Sequence, residues 1–120
     1  MIDETFRRGA RLFDAGAFFD AHEAWEERWR VETDPETRRF LQGLIQIAAA
    51  FHKLVASQAP ASAMRLLARG LHKLDACPAE IAAWSLGGFL AAIHHVERAL
   101  AEGRFEASSA IPKLSGGQLP

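Results

Sequence analysis

The stretch PETRRFLQGLIQIAAAFHKLVAS, residues 35–57, decides the fold. Its apolar residues recur at helical spacing: Phe40, Leu44, Ile47, Phe51 and Leu54 form one stripe, with Leu41, Ile45 and Ala48 beside it. A surface helix needs only a single narrow stripe, so this width marks a central helix with neighbours on most sides. Asp34 stands before it as N-cap. Pro35 fills the first helical position, where a missing N–H costs nothing, and Glu36 sits in the field of the positive helix end. Gln58-Ala59-Pro60 breaks the helix.

Shorter helical segments extend to either side. Phe6, Ala10 and Phe13 place a helix over Asp3–Ala15, with Gly16 suited to end it. Asp20 is expected as the N-cap of a second helix, with Glu23 completing a capping box, running to about Glu32. After Pro60, Met64, Leu67, Leu71 and Leu74 define a fourth helix. Cys77-Pro78 reads as the start of a short helical turn through Trp84. Gly87-Gly88 then leads into a last helix with Phe89, Ile93, Val96 and Leu100, closed by Gly103. From Arg104 onward the chain is irregular, and Ser115-Gly116-Gly117-Gln118 is expected to be mobile. The architecture expected is all-α: a compact bundle of about five antiparallel helices over residues 1–105, with a C-terminal tail over 106–120.

Composition bounds what such a bundle does. With 120 residues, 49% hydrophobic and 24% charged, the chain is one ordinary globular domain. Lys and Arg number 14 against 15 Asp and Glu, a balance that argues against a nucleic-acid binder and against attraction to an anionic membrane. No apolar run is long enough to span a bilayer. A single cysteine, Cys77, and an acidic start without a signal sequence point to the cytoplasm. Cys77 has no helical-spaced base beyond Lys73, so a thiolate nucleophile is not expected. A homo-oligomer is left open.

One segment carries chemistry. In His22-Glu23-Ala24-Trp25-Glu26-Glu27-Arg28-Trp29, taking His22 as zero at about 100° per residue, Trp25 falls at about 300°, Glu26 at about 40° and Trp29 at about 340°. The two tryptophans are therefore expected to define the buried face, with His22 and Glu26 on it. Glu23 falls at its margin, Glu27 in water, and Arg28 on the far side. A histidine and a carboxylate one turn apart on a buried face can chelate a divalent metal such as Zn, Mn or Fe, provided other helices add ligands. Arg39, Gln42 and Gln46 form a polar line on the third helix, with His52 on a neighbouring face. His94 lies at the edge of the last helix's apolar stripe; His72 and His95 belong to solvated faces, as does the Arg65, Arg69, Lys73 stripe. The same polar residues also suit a structural network, in which imidazole, carboxylate and Arg39 satisfy one another.

Phe18-Phe19-Asp20-Ala21-His22-Glu23-Ala24-Trp25-Glu26, then Trp29-Arg30, then Arg39-Phe40-Leu41-Gln42-Gly43-Leu44-Ile45-Gln46 and His52 resemble the signature of the family called domain of unknown function 309. It is a set of small helical proteins, chiefly prokaryotic, and the resemblance spans about residues 5–100. It implies a helical bundle and, for some members, the label of predicted metal-dependent hydrolase. The leading expectation is accordingly a metal site at His22, Glu26 and His52, with Glu23 as general base and Arg39 steadying an anionic small-molecule substrate. Trp25, Trp29, Gln42 and Gln46 would line the substrate. Two alternatives stand beside it: a non-catalytic binding or assembly module with a structural His22–Glu26–Arg39 network, and a small-molecule binder using the Trp-lined groove without turnover.

Overall fold

The computed structural model describes residues 3–81, 84–106 and 111–114. Five helices follow one another: α1 Glu4–Asp14, α2 Phe18–Val31, α3 Pro35–Val55, α4 Pro60–Asp75 and α5 Gly87–Ala101. A two-residue ladder, β1 Glu80–Ile81 against β2 Trp84–Ser85, is inserted before α5. The chain is an all-α bundle of five helices, as its periodicity indicates. Among the described residues no helix is long and apolar enough to cross a membrane.

α3 is the hub. It packs on α4 along one side and on α2 along the other; α1 packs on α2 and α5 on α4, and Phe6 and Phe13 of α1 also reach Phe40 and Phe51 of α3 and Phe89 of α5. Phe40, Leu41, Leu44, Ile47 and Phe51 are all at or near zero exposure. α3 and α4 touch backbone to backbone: a Cβ on Gly70 would stand 2.9 Å from the Gly43 carbonyl oxygen. Only hydrogen atoms fit at that crossing.

Several helix ends form as their residues suggest. Asp34 accepts a hydrogen bond from the Thr37 N–H at 2.9 Å and so caps α3. Gly16, at φ +83°, ends α1: the Ala17 N–H donates to the Leu12 carbonyl and the Gly16 N–H to the Phe13 carbonyl. Gly103, at φ +70°, closes α5 with the same pair of bonds, to Leu100 and, through Arg104, to Ala99.

Two expectations are corrected. Asp20 does not cap α2; the helix starts at Phe18, with Ala17 at the cap and no side-chain cap bond. The tight turn at Gly16 delivers Phe18 straight into the core, where its ring meets Phe13 at 5.2 Å and Phe51 at 5.5 Å. Burial of that ring sets the start of α2, and Asp20 is left in the first turn, where its charge still favours the helix. The segment after Cys77-Pro78 is not helical either. Ile81 and Trp84 pair across the short ladder and both bury their side chains, while the Leu86 N–H returns to the Ala79 carbonyl. Two β-favouring side chains sharing one face outweigh a helix that Pro78 has already weakened.

Residues 104–106 and 111–114 are irregular, and Leu114 is buried, its N–H donating to Asp14 Oδ1 at 2.7 Å. Ser115–Gln118, expected to be mobile, lie outside the described residues.

Candidate functional site

α2 is rotated relative to the expected orientation. Its buried face is Phe18, Ala21, Ala24, Trp25 and Arg28, whereas His22, Glu26 and Trp29 lie at its margin, half-buried. The cause is on the partner helix. Gly9 of α1 leaves space for the Trp25 indole, whose Nε1–H donates to the Phe6 carbonyl at 3.1 Å and whose ring stacks on Phe6 and Phe13. Turning Trp25 fully into α1 carries Ala24 and Arg28 inward and His22 and Glu26 outward. Trp25, expected to line a substrate, is thus completely enclosed.

Arg28, expected on the far side of α2 from the tryptophans, is only 9% exposed. Its Nε lies 2.9 Å from Asp3 and its Nη2 2.6 Å from Glu32, so it ties the start of α1 to the end of α2. The Asp34 backbone N–H, with Arg28 assisting, holds the Glu32 carboxyl at about 2, well below the usual carboxylate range.

The outward margin of α2 forms a row, Phe19, His22, Glu26 and Trp29, at helical spacing. A matching row on α3 runs Arg38, Gln42, Ile45, Ala49 and His52, every member half-buried. The rows run antiparallel and are joined at both ends. Phe19 and His52 meet with ring centroids 5.4 Å apart, and the Arg38 guanidinium lies 4.1 Å above the Trp29 ring. Arg38 Nη1 also donates to the carbonyls of Trp29 and Glu32, both at 2.9 Å, and so caps the C-terminus of α2. α1 and α4 pack on other faces of these two helices, which leaves the rows as a seam open to solvent.

Within the seam, His22 stands between two carboxylates: Nδ1 is 3.5 Å from Glu23 and Nε2 is 3.5 Å from Glu26. Glu26 is drawn the other way by Arg30 at 2.7 Å. Nδ1 is shielded from solvent and makes no hydrogen bond among the described residues. Because the carboxylates face opposite ring nitrogens, no one point is close to both and to a single imidazole nitrogen. His52 is linked to His22 through the Phe19 ring, which contacts both imidazoles. Among the described residues, no group of three or more His, Cys, Asp or Glu side chains is arranged to hold a metal ion.

The polar line of α3 divides between two environments. Gln46 accepts a hydrogen bond from Lys73 Nζ on α4 at 2.9 Å. Arg39, proposed as counter-charge to His22 and Glu26, is exposed and makes no ion pair with them. It lines, with Trp29, Pro35, Arg38, Gln42 and Lys73, a cleft of about 440 Å³ at one end of the seam. Arg38 is not singled out by the sequence, and Lys73, expected with Arg65 and Arg69 on a solvated stripe, is half-buried against α3. The Lys73 contact crosses 27 positions of chain and has no local signal. Arg38 carries one: it precedes Gln42 by four residues, on the side of α3 that faces Trp29.

Elsewhere His94 bridges α4 and α5, its Nε2 3.1 Å from Asp75 and its Nδ1 3.5 Å from Glu97. Burial pushes the Cys77 thiol up, against the opposing pull of Arg39, so it stays a poor nucleophile at neutral pH.

The family model described as domain of unknown function (DUF309) matches residues 6–66, just over half of the chain. The chain belongs to the DUF309 family. The DUF309 match covers α1, α2, α3 and the start of α4, and so contains both rows of the seam, while Lys73 lies beyond it. No curated protein matches the chain.

Proposed function

We propose that this DUF309 protein is a small helical binding or assembly module without catalytic turnover, whose working surface is the α2–α3 seam. The observation that carries this reading is the disposition of His22. Its imidazole spans two carboxylates at opposite nitrogens, one of them already held by Arg30, and its ring stacks with Phe19. That arrangement holds side chains in place across a helix surface; it does not direct three donors to one point. On this reading the module acts in the cytoplasm on a small-molecule partner or a second copy of itself, and not on nucleic acid or membrane.

The test compares His22→Ala with the parent protein with and without a chelator. Loss of a half-exposed pair is expected to cost about 0.5–1 kcal/mol, a few degrees in Tm, equally in both conditions. An unchanged Tm, or a difference that appears only without chelator, refutes the reading.

A second reading, metal-dependent hydrolysis, has one observation in its favour: the shielded Nδ1 of His22, which makes no hydrogen bond among the described residues. In it, His22, Glu26 and His52 would hold a divalent ion such as Zn, Mn or Fe after side-chain rearrangement, Glu23 would take a proton from water, and Arg39 would bind an anionic substrate. It requires stoichiometric metal uptake that His22→Ala abolishes.

A further inference from the structure

We infer that the cleft lined by Trp29, Pro35, Arg38, Arg39, Gln42 and Lys73 binds the phosphate group of a small phosphate monoester, an inference that rests on reading the seam as a binding surface.

Most arginines of α1 and α2 pair with carboxylates. Arg8 pairs with Glu27, Arg11 with Glu4, Arg28 with Asp3 and Glu32, and Arg30 with Glu26. The cleft, whose cations come from α3 and α4, lacks such pairs. Among the described residues Arg38, Arg39 and Lys73 meet no carboxylate: Arg38 is held by two backbone carbonyls, Lys73 by the neutral Gln46 amide, and Arg39 by nothing. Three cations from two helices thus border one concavity. Among the described residues no side-chain carboxylate pairs with them, so an anion bound in the cleft relieves their mutual repulsion.

The cleft is also held in shape. Arg38 is fixed by its two carbonyl contacts and by stacking on Trp29, and Lys73 is oriented by Gln46, so little side-chain freedom remains to be lost on binding. Its chemistry discriminates between anions. Arg39 and Lys73 are the two cations not engaged at a helix terminus, and a phosphate monoester carries close to two negative charges at neutral pH, matching them one for one. The Arg39 fork suits two phosphate oxygens, the Gln42 amide can donate to a third, and the Trp29 and Pro35 surfaces suit the organic part of the ester.

The experiment titrates metal-free, full-length protein with inorganic phosphate and with phenyl phosphate, by calorimetry and by amide chemical shifts, at fixed ionic strength. Saturable one-site binding with a Kd at or below about 1 mM is expected, tighter for phenyl phosphate, with shifts clustered at residues 29–42 and 73. Arg39→Gln leaves Tm unchanged, because the side chain has no partner to lose, and weakens binding about tenfold; Lys73→Gln weakens it comparably. Arg65→Gln, an exposed α4 position outside the cleft lining, binds like the parent. Absence of saturable binding in the millimolar range, or unchanged affinity in Arg39→Gln, overturns this inference and leaves the module reading intact. A short single-stranded oligonucleotide that binds more tightly than phenyl phosphate also overturns it, in favour of an extended polyanion. Phosphate binding that needs added zinc and disappears in His22→Ala overturns the reading on which it rests.

Discussion

Replacing Gly9 by Ala sets two magnitudes against each other. Within an exposed helix the change is favourable by about 1 kcal/mol, since alanine has the higher helix propensity. In this structure the added Cβ would stand 2.4 Å from Trp25 Nε1 and 2.5 Å from Cδ1. Those atoms belong to a rigid ring at zero exposure, packed against Phe6 and Phe13, so they have no solvent to swing into. Accommodating a methyl group there means moving α1 away from α2 or tilting the indole. Either displacement stretches the 3.1 Å bond from Nε1–H to the Phe6 carbonyl, and an unsatisfied buried donor costs about 1–3 kcal/mol. Overpacking strain adds about 1–3 kcal/mol. With propensity subtracted, Gly9→Ala is expected to destabilise by about 1–5 kcal/mol, or roughly 4–25 °C in Tm for a chain of this size. Chemical denaturation followed by far-UV circular dichroism measures it. A Gly9→Ala protein as stable as the parent, or more so, would show that Trp25 does not pack against Gly9 as described and would remove the reason given for the rotation of α2.

Other perturbations probe separate parts of the molecule. Arg28→Ala removes the partner of both Asp3 and Glu32 and should cost about 2 kcal/mol by urea denaturation, far more than an exposed arginine would; a loss below about 0.5 kcal/mol counts against its burial. Because the folded-state pKa of Glu32 lies near 2, below its ordinary value of 4.5, its stabilisation is complete above about pH 4.5 and is lost as pH falls toward 2. Glu32→Gln should therefore flatten the acid limb of the stability–pH curve, and an unchanged limb argues against the Asp34 and Arg28 contacts. Trp29→Ala frees the Arg38 guanidinium from its stacked position and should cost about 1–2 kcal/mol while weakening anion binding at the cleft; calorimetry with phenyl phosphate and a thermal melt test the two effects in one sample.

The helices were legible because their signals are local. The wide apolar stripe from Phe40 to Leu54, the cap at Asp34 and the left-handed glycines at 16 and 103 each depend on a few neighbouring residues. What escaped depends on partners distant in the chain. The orientation of α2 is set by a missing side chain, Gly9, on another helix, and periodicity read from two tryptophans alone placed the buried arc too far toward His22 and Glu26. Ala24 and Arg28 have weak or contrary hydrophobic signals, yet both lie inside. The Ile81–Trp84 ladder is too short to show an alternating pattern. At the site, His22, Glu26, Trp29, Gln42 and His52 were identified as residues of interest and do share one seam; Arg38 and Lys73, which complete the cleft, were visible only once α2, α3 and α4 had been brought together.

The most direct measurement on the central claim is the metal content of untagged protein, by elemental analysis before and after incubation with Zn, Mn and Fe salts. If the seam is a binding surface without a metal centre, bound transition metal stays below about 0.1 equivalent and titration gives no saturable uptake. About one equivalent of metal, retained through desalting and lost in His22→Ala, would establish the seam as a metal centre and reverse the proposed function.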